Sequence, residues 1–258
     1  MPLSNEQKFE ISELLKQKIR SKLENYNPET NNMPFHTRLI GKERMALFSF
    51  IQSINTTLGT SVFEQVAAII SRPHFSEVIH QFKDFNNTIS LEAQRVIQEI
   101  IDNLTLSKLK PNKHEEVAKI LSVSQSNNMV TIKKPVIDLF VVSHDGIEYY
   151  FDLKTAKPNI GDFKRFKRTL LEWIAIRGAL NKNINIYTML AIPYNPYEPE
   201  PYQRWTLQGL FDIKNEILVA EEFWNFLGGE KTYEELLKVF EFTGIELHPE
   251  IDGRFKRF

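Results

Sequence analysis

The stretch from Lys134 to Lys157, KPVIDLFVVSHDGIEYYFDLKTAK, leaves this chain little choice but a β-hairpin. Val136–Val142 is apolar except at Asp138. Ser143-His144-Asp145-Gly146 then carries the Asp-Gly turn signal, and Ile147–Leu153 is rich in aromatic and β-branched residues. Pro158 stops the second strand. Strands this apolar are covered on both faces, so the remaining chain must supply a layer for each side.

The charges in these strands are informative. A lone carboxylate there is costly unless it is paired or binds a metal. Alternation places Asp152 and Lys154 on one face and Phe151 and Leu153 on the other. An antiparallel pairing brings Asp138 beside Asp152, so two carboxylates and an ammonium converge near one sheet end. Close carboxylates repel, and Mg²⁺, which prefers oxygen ligands, removes that repulsion. The acid-x-Lys triplet is weak by itself, since Glu6-Gln7-Lys8 and Asp212-Ile213-Lys214 share its form. Only Asp152-Leu153-Lys154 follows an Asp-bearing strand and a hairpin turn. On the local pattern two readings stand: a metal site, or a structural ion pair.

Asp138 followed across a hairpin by Asp152-x-Lys154 resembles the PD-(D/E)XK nuclease superfamily, with Pro135 three residues ahead of Asp138. The runs FDLKTAKPNIGDFKRFKRTLLEW (151–173), PYNPYEPEPYQRW (193–205) and EEFWNFLGG (221–229) resemble TdeIII-like type II restriction endonucleases. That resemblance spans roughly Gly59 to the C-terminus. It implies an α/β fold: a central mixed β-sheet, the restriction-endonuclease-like core, flanked by helices, with a helical N-terminal part. It also implies Mg²⁺-dependent, sequence-specific cleavage of double-stranded DNA leaving 5′-phosphate ends, a homodimer, and GGNCC as the site. Asp138 and Asp152 would hold the metal, and Lys154 would orient or deprotonate the attacking water. Glu64 has two readings. It can close a capping box with Ser61, or it can be the further metal-binding glutamate that the superfamily often carries on an N-terminal helix. Two other functions compete: a structure-specific repair nuclease of the same superfamily, and a non-catalytic DNA-binding protein with a vestigial site.

The net charge of −1 means that any DNA-binding surface must be local. One candidate lies directly after the hairpin. Lys154, Lys157, Lys164, Arg165, Lys167 and Arg168 stand against Asp162 alone. Asp162 can open a helix running to about Leu180, lined inside by Phe163, Phe166, Leu170 and Trp173. Basic residues at a helix N-terminus oppose its dipole, so something negative should offset them. A solvated face is one reading; phosphate contact by Lys157, Lys164, Arg165, Lys167 and Arg168 is the favoured one.

The other segments read as layers for the sheet. Helices are expected at Ser4–Glu24 (with a Ser4/Gln7 capping box), Gly41–Leu58, Ser61–Ser71, Ser76–Phe85, Ser90–Leu106 and Pro111–Ser122. In the second, Leu47, Phe48, Ile51 and Ile54 are expected inward, with Gly59 ending it. Met129–Lys133, Asn185–Ile192 and Ile217–Ala220 read as strands, the second parallel to its neighbour. Glu221–Leu227 and Thr232–Phe242 read as the last helices, Gly244 following. Residues 1–122 would form a mainly helical part and 129–258 the α/β catalytic core of a single nuclease domain. The chain has no cysteine, no apolar run of bilayer length and no secretory leader pattern, which fits the cytoplasm.

Overall fold

The strand pattern of the hairpin is realised at the centre of a five-stranded sheet. The computed structural model describes residues 3–26, 33–83, 86–154, 162–202, 207 and 209–255. Its strands are β1 (Glu77–Phe82), β2 (Thr88–Ser90), β3 (Met129–Thr131), β4 (Ile137–Val142), β5 (Glu148–Leu153), β6 (Ile186–Ile192) and β7 (Ile217–Val219). The sheet order is β1-β4-β5-β6-β7. β1, β4 and β5 pair antiparallel, while β5, β6 and β7 pair parallel. Gly146, at φ 81°, takes the left-handed position that the tight turn between β4 and β5 requires.

Helices cover both faces, as two-sided burial demands. One face holds α5 (Leu91–Thr105), α6 (Lys113–Val123) and α7 (Phe163–Leu180), packed on Phe140, Tyr150, Ile186 and Leu190. The other holds α1 (Asn5–Asn25), α4 (Phe63–Ser71), α9 (Glu221–Gly228) and α10 (Thr232–Phe255), packed on Leu139, Val141, Phe151 and Met189. The parity of each strand thus sorts its side chains between two cores. The short α8 (Ile213–Glu216) leads into β7, α3 (Lys42–Thr57) lies beside α1, and α2 (Pro34–Ile40) packs on α3.

Several segments differ from the expectation. Ser76–Phe85 has the sequence of a helix, yet Glu77–Phe82 is the edge strand β1, held in register by β4. A short segment of mixed polar and apolar residues has no decisive period, and the free edge of β4 settles it. Met129–Thr131 is a strand, but it pairs with β2 in a separate two-stranded ribbon. In α3 the buried residues are Met45, Ala46, Phe50 and Thr57, whereas Leu47, Phe48 and Ile51 are exposed. Gly59 does not end α3. The helix passes through a π-turn, Leu58–Val62, straight into α4. There the hydroxyls of Thr57, Thr60 and Ser61 each bond the carbonyl four residues back, at 2.8–3.1 Å, which widens the helix instead of terminating it. Thr232 opens no Phe242-terminated helix; α10 runs through Gly244 and Pro249. It lies parallel to α1 through Lys8–Glu235 (2.5 Å), Lys16–Glu246 (2.6 Å) and Arg20–Glu250 (2.7 Å). That long contact outweighs the weak helix propensity of one glycine.

Candidate active site

The antiparallel register places Asp138 opposite Asp152, one step beyond the Leu139–Phe151 pair. Both carboxylates share the parity of Phe140 and Tyr150 and so point toward the α7 side. They stand where β5 and β6 end. The Leu153 N–H donates to Asp138 Oδ2 at 2.7 Å, so the side chain takes up a bond in the strand pairing. Lys154 Nζ donates to Asp152 Oδ1, lies 3.7 Å from Asp138 Oδ2, and donates to the Leu153 carbonyl at 3.2 Å. Three oxygens, two of them from carboxylates, therefore converge on one cationic nitrogen. Phe166 of α7 backs this ammonium, its ring centroid 5.1 Å from Nζ.

Glu64 sits in the first turn of α4 and is buried. The capping-box reading fails, because Ser61 spends its hydroxyl on Thr57 and no side chain caps α4. Instead Glu64 Oε2 accepts from Gln81 Nε2 at 3.0 Å. The β1–β4 register sets Gln81 opposite Asp138, and its φ of 49° marks a local bend in the edge strand. Gln81 is hidden in the sequence, because the helical pattern of its segment gives no hint of an edge strand. Burial raises the Glu64 carboxyl above its ordinary value, opposed by the Gln81 amide, His80 and Lys154. The Asp152 charge also acts on Glu64, so the helix, the edge strand and the hairpin meet at one place. His80, isolated in the sequence, belongs to this neighbourhood.

Burial first, and the Asp152 carboxylate second, push Asp138 up to about 7, against the pull of Lys154 and the Leu153 N–H. Among the described residues no three His, Cys, Asp or Glu side chains are gathered closely enough to hold a metal by themselves. Asp138, Asp152 and the Leu153 carbonyl nonetheless make a partial all-oxygen shell around a cation, the donor set that a hard divalent ion accepts.

The basic residues that follow the hairpin go to different places. Lys164 and Arg165 are exposed on α7, and Arg165 also pairs with Asp162 at 2.9 Å. Arg168 is half-buried and donates to Gln98. Lys157 lies outside the described residues. Lys167 is a correction, because it is fully buried and cannot face DNA. Its Nζ binds Glu116 Oε2 (2.5 Å) and Glu216 Oε2 (2.6 Å). Glu216 Oε1 also accepts from the buried Lys113 at 2.8 Å. The negative charge expected to offset the α7 N-terminal region thus comes partly from inside the fold.

Known proteins share this chain's pattern well beyond the hairpin. The HinfI type II restriction endonuclease family matches residues 3–244, nearly the whole chain. The chain belongs to this family. It is a site-specific deoxyribonuclease. Among curated relatives, the type II restriction enzyme HgiCII of Herpetosiphon aurantiacus is 29% identical over 226 residues, covering 84% of this chain and 80% of that enzyme. HgiEI of the same organism is 26% identical, covering 91% and 85%. MjaII of Methanocaldococcus jannaschii is 27% identical, covering 99% and 74%. The expected type II restriction endonuclease and its mixed-sheet core are both found. No helix among the described residues is long and apolar enough to cross a membrane.

Proposed function

We propose that this endonuclease cleaves double-stranded DNA by Mg²⁺-dependent hydrolysis at the Asp138–Asp152–Lys154 cluster, leaving 5′-phosphate ends. The observation that supports this most is the convergence of Asp138 Oδ2, Asp152 Oδ1 and the Leu153 carbonyl on one cation, Lys154 Nζ. Asp138, Asp152 and the Leu153 carbonyl would hold Mg²⁺, with Glu64 completing the shell directly or through water. Bound there, the metal would supply charge neutralisation at the phosphate and a more acidic water. Lys154 would then leave the carboxylates, orient the attacking water, and as an ammonium stabilise the charge that grows on the phosphate oxygens. Phe166 keeps that ammonium beside the site. Lys164, Arg165 and Arg168 would contact the DNA backbone next to it, and Lys157 belongs to the same proposal.

Uncatalysed phosphodiester hydrolysis is very slow, so these charges must supply most of the barrier reduction. In this reading residues 1–258 act as one nuclease domain in the cytoplasm, as a homodimer that cuts both strands of a palindrome. GGNCC is the site that the TdeIII resemblance suggests. Digestion of an unmodified plasmid of known sequence tests the whole reading. Discrete bands with Mg²⁺, none with EDTA, and ends that ligate without added phosphate are expected. Intact plasmid with Mg²⁺ would overturn it, and the fragment map tests GGNCC separately.

A further inference from the structure

α2 packs against α3 of its own chain yet buries none of its residues there. It has seven residues, four of them Pro34, Phe35, Leu39 and Ile40, and none is buried. A helix this short does not persist without tertiary packing. The neighbouring α3 continues the same character, for Leu47, Phe48 and Ile51 are exposed on its outer side. Leu47 and Ile51 are one turn apart, so they share a stripe, which runs on through Asn55 to Leu58. At that end it opens into an apolar cavity of about 760 Å³, walled also by Pro193, Trp224, Leu237 and Phe240. Soluble monomers rarely expose contiguous apolar surface of this extent without a use for it.

From these features we infer that the outer face of α2 and α3 is where two copies of this chain meet. The size of the surface fits. Phe35 and Leu39 are each 84% exposed, and Ile40, Leu47, Phe48 and Ile51 are 38–50% exposed. Together they offer on the order of 600 Å² of apolar surface, most of the roughly 800 Å² per partner that a standard interface buries. A second copy is the occupant that the chemistry calls for. Among the described residues one chain carries one Asp138–Asp152–Lys154 cluster, while a double-strand cut needs two. A twofold axis makes one apolar face sufficient, because each copy presents the same patch to the other. This assignment rests on the proposed double-strand cleavage but names the surface, which that proposal does not.

Sedimentation velocity of the purified full chain without DNA tests it. The wild type should sediment as a dimer, and Leu47→Glu with Phe48→Glu as a monomer with an unchanged circular dichroism spectrum. Because the chain has no cysteine, a single introduced thiol gives a second measurement that survives any folding defect of the charged variant. Ile51→Cys should be captured as a covalent dimer by a short bis-maleimide, and Lys182→Cys, just past the far end of α7, should not. A monomeric wild type, a dimer that persists in the charged variant, or cross-linking at Lys182→Cys instead of Ile51→Cys would overturn the assignment. Plasmid cleavage by the same preparation reports separately on the endonuclease reading.

Discussion

At the residue scale, the site is a set of carboxylates held closer than their charges favour. Asp138 has an ordinary value of 3.8 and is raised to about 7 in the fold, by burial first and by Asp152 second. The folded state therefore keeps a proton that the unfolded state loses between those values. Stability from this group is greatest on the acid side and is lost as pH rises from about 4 to about 7. Asp138→Asn should flatten that fall and stabilise the metal-free protein at pH 8 by at most about 4 kcal/mol. Urea denaturation at pH 5 and pH 8 checks it; an equal change of stability with pH in variant and parent would refute the coupling. For catalysis, Asp152→Ala and Lys154→Ala should each lower cleavage by about 10³-fold or more, since both act on charge in the transition state. Their circular dichroism spectra and DNA binding should stay close to the parent's. Full cutting by either variant removes that residue from the mechanism.

At the element scale, α7 divides its basic residues between two jobs. Lys167 faces inward, and its pairs with Glu116 and Glu216 tie α7 to α6 and α8 in a fully buried cluster. Removing one member leaves buried charge without its partner, so Lys167→Met should destabilise by about 3–5 kcal/mol. Thermal or urea denaturation measures this, and a drop under about 1 kcal/mol would mean that the cluster relaxes freely. Lys164→Ala with Arg165→Ala should leave the melt unchanged but reduce the salt slope of DNA binding by about 0.9 for each phosphate no longer neutralised. An unaltered slope would show that this face meets only solvent. A similar packing constraint operates where α9 ends. A Cβ on Gly228 would stand 2.6 Å from Ile70 Cγ2 and from Thr232 Oγ1. Gly228→Ala should therefore cost about 1–3 kcal/mol through overpacking.

At the scale of the whole molecule, the sheet separates two cores and lets residues far apart in sequence meet at its end. Glu64 on α4, Gln81 on β1 and the β4–β5 carboxylates belong to that meeting. If a cation binds there, it binds only the folded chain, and stability should rise with its concentration by mass action. Ten times the dissociation constant of Mg²⁺ should add about 1.4 kcal/mol, and Asp152→Ala should remove most of that gain. Titrating Mg²⁺ into thermal melts at pH 8 tests this; a gain unaffected by Asp152→Ala would place the ion elsewhere.

Much of this fold is written locally. The apolar runs Val136–Val142 and Ile147–Leu153 and the Asp145-Gly146 turn determine the hairpin, and the hairpin register alone sets Asp138 against Asp152. Period-2 geometry needs no other part of the chain. Capping at Ser4 and Ser90 likewise depends on neighbours a few residues away. What only the tertiary structure decided are the features whose partners lie far along the chain. β1 is a strand because β4 offers it an edge, and α10 is long because α1 lies beside it. Lys167 points inward because Glu116 and Glu216 wait there. The outer stripe of α3 has the pattern of an inner one, because periodicity gives a face but not its direction. Local pattern fixes which residues share a side; only the position of the remaining chain fixes which side is covered.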